Sequence, residues 1–439
     1  MKKLNKSLIL IELNEINFEM VKWYVEKYPM RLNTFRHILS WKSAITCSES
    51  AYEENEPWIQ WVSVHTGLTF AEHGVFRLGD IEGTKMPQLF EIVENAGYTV
   101  GCISPMNTEN RLKSPEYFIP DPWTRTTSDN SWWSTNLHKA VSQAVNDNSK
   151  SKITVESASI IGLALLCFSR FKNYTLYLKL LLTARLKPWN KALLLDLLLS
   201  DVHNSFIRSR PADLSAIFFN AGAHIQHHYI LNAEPIKTQK QIFNPSWYIR
   251  EDADPVFDML NVYDQLLNSY MNRGDLNVII ATGLSQVPYD SVKYYYRLSE
   301  HKKFLEAVGV KCKNVVPRMT RDFLVEFDTE AKLVDGVNIL SSLKVVGDGL
   351  RMFGDIEIRG LNAFITLTYP NEITQFTRVI VGGNSVAIDQ DVVFVALKNG
   401  MHSEKGYLYL SEGVAGLAPK SGAHVKEIFN TIKRYFRIA

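Results

Sequence analysis

The chain is poor in cysteine. Only Cys47, Cys102, Cys167 and Cys312 occur among 439 residues, and no two form a C-x-x-C pair. That excludes a zinc ribbon and a disulfide framework; three of the four sit in apolar surroundings and read as reduced core thiols. Long apolar runs are also missing. The best candidate, "IIGLALLCF" at 160–168, is far shorter than the roughly 20 residues of a membrane span. Net charge is small: 48 Lys and Arg against 46 Asp and Glu give +2, so the charge balance does not argue for nucleic acid. No internal repeat and no low-complexity tract is present. Met1-Lys2-Lys3 before "SLILIELNE" resembles the start of a secretory signal. The apolar stretch ends at Glu12, however, whereas a signal needs roughly 7–15 apolar residues. The reading is a first β-strand in a cytoplasmic protein.

What is present fits a globular protein with a sizeable core, 46% hydrophobic and 21% charged. The length predicts one large α/β domain with an insertion, or two domains. "LILIEL" (8–13), "YTVGCIS" (98–104), "LSAIFFN" (214–220), "LNVIIAT" (276–282) and "VVFVALKNG" (392–400) read as strands. The first is apolar enough for a buried parallel strand. A helix is expected over about 18–28 and another over "MPQLFEIVENAG", with Gly97 as its cap. The repeated unit is strand, polar loop, helix, and in an open parallel sheet ligands bind at the strands' C-terminal ends.

Residues 130–210 break this rhythm. They are helical, Leu-rich and basic at polar positions, with Lys172, Lys179, Arg185, Lys187 and Lys191. They read as a helical cap inserted into an α/β core formed by 1–129 and 211–439. The cap either packs its Leu face on that core or presents a basic amphipathic surface, through 160–200, to a membrane or a lipid-linked acceptor. Beyond about residue 310 short strands with Gly and Asn turns point to further β pairing beside the main sheet.

Five loops hold the polar candidates. Glu12 and Asn14 end the first strand and share a face by alternation. In "NEPWIQWVSVHTG" (55–67), Pro57 suits the first helical position and Glu56 the cap before it. Glu56, Gln60 and Ser63 share one helix face; Trp58, Trp61 and His65 share the other. "FFNAGAHIQHHY" (218–229) brings Asn220, His224, His227 and His228 directly after a strand. "ATGLSQVPYD" (281–290) offers Ser285 and Gln286, and "KNGMHSEKGYLYLSEG" (398–413) offers Lys398 and His402. Singly, each has a bland alternative as a solvated strand end, a helix cap or a structural histidine.

In order and spacing these loops resemble the alkaline phosphatase superfamily, notably its phosphodiesterase and nucleotide pyrophosphatase branch. The most specific piece is "SVHTGLTFAEHGV" (63–75), which looks like the segment after that branch's nucleophile. The resemblance implies an α/β sandwich with a central, mostly parallel sheet and two metal ions, usually zinc. It also implies a Thr, Ser or Cys nucleophile. The first metal-ligating Asp falls on Asn14, and the nucleophile on Glu56 or Pro57. The Asp of the Asp-x-x-x-His loop falls on Asn220 and its His on His224. The later Asp-His pair falls on Gly283 and Leu284, and the last His on His402.

Lost carboxylates and a lost hydroxyl speak against a two-metal displacement through a phospho-enzyme. The expectation is therefore a cytoplasmic enzyme, peripheral to the inner membrane if the basic cap meets lipid. It would work without metal, with Glu56, His224 and His402 as acid–base residues. Glu12, Asn14, Gln60, Asn220, His227, Ser285, Gln286 and Lys398 would bind substrate. That substrate would be a phosphorylated or nucleotide-activated sugar, transferred to a lipid-linked or glycan acceptor or hydrolysed, in cell-surface glycan biosynthesis. Two alternatives stay open: a metal-dependent phosphodiesterase or phosphatase with a remodelled set, such as one divalent ion at His224 and His402, and a ligand-binding protein without catalysis.

Overall fold

The computed structural model describes residues 6–146, 153–317 and 321–439. It divides into two compact units. Met1–Tyr289 with Gly400–Ala439 form the first; Asp290–Asn399 form the second. The sequence predicts one core over 1–129 and 211–439, and within the latter stretch Asp290–Asn399 form their own unit. Residues 130–146 and 153–210 fall within the first unit.

The first unit is built on an eight-stranded sheet. Its strands are β1 (Ser7–Leu13), β2 (Lys42–Cys47), β3 (Val100–Ile103), β4 (Tyr117–Ile119), β5 (Leu214–Phe219) and β6 (Leu276–Ala281), joined by two late ones. Long strands β7 (Ser285–Leu298) and β14 (Val392–Ser403) pair with each other as a two-stranded sheet. Between them β8 (Asn314–Pro317), β9 (Asp322–Glu326), β10 (Glu357–Arg359) and β11 (Asn362–Thr366) make an antiparallel sheet of the second unit. β12 (Arg378–Val381) and β13 (Asn384–Ala387) form a hairpin there. Phe323, Val325, Phe353 and Ile365 lie in that unit's own core. The last strands, β15 (Lys405–Leu410) and β16 (Ala423–His424), return to the main sheet, ordered β16-β2-β15-β6-β1-β5-β3-β4.

β1 sits in the middle, parallel to β5 on one side and β6 on the other. This is why "LILIEL" carries apolar side chains on both faces: helices cover both sides, and Leu8, Ile9, Leu10 and Ile11 are wholly buried. Each such side chain contributes about 1.5–3 kcal/mol through burial. Register brings Leu13 beside Phe219 and Glu12 beside Ala281, so the C-terminal ends of β1, β5 and β6 share one edge. β15 runs antiparallel to β6, so its start lies at the edge where the parallel strands finish. Residues just before β15, His402 among them, are thereby delivered to that edge. The sequence pattern predicts a loop over 398–413 and a strand of the repeating unit over 392–400. The strand that joins the main sheet is instead β15, and β14 stands outside it.

Helices Trp132–Asn146, Val155–Phe168, Tyr174–Thr183 and Asn190–Ser209 occupy the segment expected to be helical. No helix among the described residues is long and apolar enough to cross a membrane. All four cysteines are free, but only Cys102 is buried and Cys167 is exposed, so the expectation of three core thiols is not met.

Candidate active site

Three side chains converge at the shared sheet edge. Glu15 Oε2 lies 3.0 Å from His227 Nε2 and 3.2 Å from His402 Nε2, and the two Nε2 atoms are 3.2 Å apart. Each comes from a different element. Glu15 follows β1, His227 is on the Ala221–Tyr229 helix after β5, and His402 is in β14 just ahead of β15.

Glu15 is placed by an unusual backbone. Its φ is +62°, in the left-handed region that non-glycine residues rarely adopt. Its N–H donates to the Thr282 carbonyl at 3.1 Å, and its own carbonyl accepts from Gln226 Nε2 at 2.9 Å. The side chain thus leaves the alternation of β1. Its carboxylate is held at both oxygens. Asn14 Nδ2 donates to Oε1 at 3.0 Å, and Gln286 Nε2 donates to Oε2 at 2.5 Å. Burial pushes this carboxyl upward, but the charges and hydrogen bonds of His227 and His402 prevail and hold it well below the ordinary carboxylate range.

The outer nitrogens fix the histidine tautomers. His227 Nδ1 lies 3.2 Å from the Gly400 carbonyl, which can only accept, so Nδ1 carries the proton. His402 Nδ1 lies 3.3 Å from Glu56 Oε2, another acceptor. Glu56 stands at the cap of the Pro57–Thr66 helix but makes no capping hydrogen bond; its carboxylate turns to His402 instead. With the Nδ1 protons committed, each Nε2 faces Glu15, as an N–H donor when its ring is charged and as a lone pair when its ring is neutral. With both rings neutral, two lone pairs and a carboxylate oxygen face one another at 3.0–3.2 Å. Such a triangle repels itself unless a cation, either a proton or a metal ion, lies within it.

Gly400 makes the arrangement sterically possible. A Cβ there would strike Gln286 Oε1 and come within 2.8 Å of the Gln226 carbonyl. Asp196, from the Asn190–Ser209 helix, supports the other side. It accepts from the Ala221 N–H at 2.9 Å and from the Tyr263 hydroxyl at 2.6 Å, and so anchors the start of the helix that carries His227.

The remaining expected residues fall in different places. Asn14 and Asn220 are joined to each other, Asn14 Nδ2 donating to Asn220 Oδ1 at 2.9 Å, while Trp61 Nε1 donates to Asn14 Oδ1 at 2.8 Å. Asn14 is thereby committed to the frame, and the structure gives it no open face for substrate. Glu12 is wholly buried, its Oε1 2.7 Å from His65 Nε2, so it belongs to the interior and not to the pocket. Gln60 is buried and donates to the Glu54 carbonyl; Ser63 pairs with His73. Ser285 is buried at the start of β7. His224 lies one helical turn before His227–His228, and its ring packs on His228 at 4.7 Å, outside the three-residue cluster. Lys398 belongs to the second unit. The cluster keeps His402, substitutes His227 for His224 and adds Glu15.

Residues 283 and 284 offer no metal ligand. Gly283, at φ +70°, abuts the Trp61 ring, which a Cβ would meet at 3.1 Å; Leu284 is wholly buried. The indole fills the space between Asn14 and Gly283 and offers no ligand. The Glu15–His227–His402 triangle comes close to a single-ion site, with edges slightly shorter than those of a metal's ligand set. Zinc takes His and carboxylate ligands at about 2.0–2.2 Å, and three such atoms at near-tetrahedral angles are about 3.3–3.5 Å apart. Among the described residues, Glu15, His227 and His402 form a group able to hold a metal ion.

No protein-family model matches the chain, and no curated protein matches it. Solved structures similar to it include phosphonoacetate hydrolase from Sinorhizobium meliloti 1021 in complex with phosphonoacetate, at 10% identity and TM-score 0.48 over 98% of this chain and 96% of that one. Another is alkaline phosphatase from the Antarctic bacterium TAB5, at 8% identity and TM-score 0.41 over the whole of both chains. A third is human ectonucleotide pyrophosphatase / phosphodiesterase 5, at 10% identity and TM-score 0.40 over 99% of this chain and 95% of that one. At such identities and scores these likenesses decide nothing about the chemistry.

Proposed function

We propose that the chain is a phosphate-ester hydrolase or phosphoryl transferase centred on one divalent metal ion held by Glu15, His227 and His402. The observation that carries this reading is the triangle of Glu15 Oε2, His227 Nε2 and His402 Nε2, with edges of 3.0, 3.2 and 3.2 Å. Its surroundings support it. A metal-ligating imidazole ordinarily donates its other N–H to a carboxylate or a backbone carbonyl, and His402 and His227 face one of each. A divalent ion held there supplies a Lewis acid for a phosphoryl oxygen and positive charge where negative charge develops.

The protein's own groups do the rest. Asn14 and Gln286 keep the Glu15 carboxylate in one orientation, and Gly400 and Glu56 keep both imidazoles in the Nδ1–H form. Glu56, at 28% side-chain exposure the most open of the four, can take a proton from a group arriving from solvent. The order of loops from Glu12 to His402 supports a phosphate ester as substrate, with phosphorylated or nucleotide-activated sugars as the first class to assay.

A second reading follows from the Glu56–His402 contact. A carboxylate–imidazole pair also serves metal-free acid–base chemistry, with Glu56 as base toward an acceptor hydroxyl. Metal analysis of the purified chain, with turnover on phosphomonoesters, phosphodiesters and nucleotide sugars before and after chelation, separates the two. The metal reading expects one ion per chain and chelator-sensitive turnover. Chelator-resistant turnover by a metal-free chain supports the second reading.

A further inference from the structure

The helices at 155–183 display an apolar surface that the active site does not use. In the Tyr174–Thr183 helix, Tyr177 and Leu180 face the core, while Leu178, Leu181 and Leu182 are 58, 52 and 72% exposed. The helix is therefore apolar on the side that packs and also on the side that faces water. Leu166, Phe171 and Leu186, beside it in sequence, are 81, 87 and 83% exposed. Exposed side chains this large and this frequent mark an interaction surface.

Charge identifies the partner. From Ser157 to Leu195 the chain has no Asp or Glu but carries six Lys and Arg. Two of these are paired internally, Arg170 with Asp201 and Lys187 with Asp258. Lys172, Lys179, Arg185 and Lys191 are exposed and make no ion pair among the described residues. Protruding Leu and Phe side chains, interleaved with long cationic stems, suit the boundary between acyl chains and anionic headgroups. Neither helix can span a bilayer. With 14 and 10 residues, they reach about 21 and 15 Å against a hydrocarbon core of about 30 Å.

We infer that this surface binds the headgroup region of an anionic lipid bilayer, with the helices lying on the membrane. Flotation of the full chain with vesicles tests this. Mixed phosphatidylglycerol–phosphatidylcholine vesicles should capture it, and pure phosphatidylcholine should bind at least about tenfold more weakly, since each cation near an anionic surface is worth about fivefold. The Lys179→Gln and Arg185→Gln variants should each lose about fivefold on the anionic vesicles only. Leu182→Glu combined with Leu186→Glu should abolish capture while circular dichroism and metal content stay unchanged, since both side chains are exposed. Lack of capture by either vesicle type overturns the inference. So does a dimer in light scattering that the Leu→Glu pair dissociates while vesicle capture is absent.

Discussion

His402 bridges two carboxylates: its Nδ1 lies 3.3 Å from Glu56 Oε2 and its Nε2 lies 3.2 Å from Glu15 Oε2. One imidazole thus joins a half-exposed acid at a helix mouth to a buried acid at the end of a central strand. The two carboxylates have different jobs. Glu15 would be a ligand, and Glu56 orients the imidazole.

Replacing the orienting acid should weaken the site without dismantling it. Glu56→Gln is expected to lower metal affinity or turnover about 10–100-fold, the usual loss when a ligand's outer partner is removed. Metal titration followed by competition with a chelator measures it. Unchanged affinity and turnover would remove Glu56 from the site.

Asn14 is an amide because its neighbours require a donor. Its Nδ2 serves Glu15 Oε1 and Asn220 Oδ1, while its Oδ1 accepts from Trp61. Asn14→Asp would set a carboxylate against two acceptors in a buried position, at a cost of roughly 1–3 kcal/mol. Urea denaturation should show a lower midpoint at unchanged slope. A midpoint equal to wild type would mean that the amide network does not hold as described.

Gly400→Ala tests the packing around His227. The added methyl meets Gln286 and the Gln226 carbonyl, an overpacking expected to cost about 1–3 kcal/mol. It also displaces the carbonyl that holds His227 Nδ1, so metal affinity should fall along with stability. A fall in stability alone would confine Gly400 to a packing role.

Asp196 links pH to stability. Burial pushes its carboxyl up to about 6, against the hydrogen bonds from Tyr263 and from backbone N–H groups at the helix start. In the unfolded chain the group titrates near 3.8. Between these values the folded state binds more protons, so this contribution is complete below about pH 4 and is lost as pH rises through about 6. Asp196→Asn should flatten that part of the stability–pH profile. An equally steep profile in the variant would assign the effect to another group.

The central sheet was legible because parallel strands buried on both faces read as unbroken apolar runs; "LILIEL", "LSAIFF" and "LNVIIA" are all strands. Their shared C-terminal edge followed from the strand–loop–helix order, whereas Glu56 and His402 were picked out by their loops and by the family resemblance. Glu15 was not legible. Alternation along β1 selects Glu12 and Asn14, and a positive φ at Glu15, set by contacts to residues 226 and 282, leaves no mark in the sequence. His227 was visible as one of three neighbouring histidines. The resemblance favoured His224, and only the helix phase from Ala221 decides which ring meets Glu15. β15 was missed because polar Lys405 and Gly406 precede "YLYL", and an antiparallel partner on a parallel sheet has no local signal.

The most direct test is the metal content of the purified full chain after loading with zinc, manganese or cobalt and removal of excess ion. Elemental analysis of wild type, Glu15→Gln, His227→Ala and His224→Ala should give one ion per chain in wild type and His224→Ala. The other two variants should give far less. A metal-free wild type, or loss of the ion in His224→Ala with retention in His227→Ala, would contradict the Glu15–His227–His402 centre.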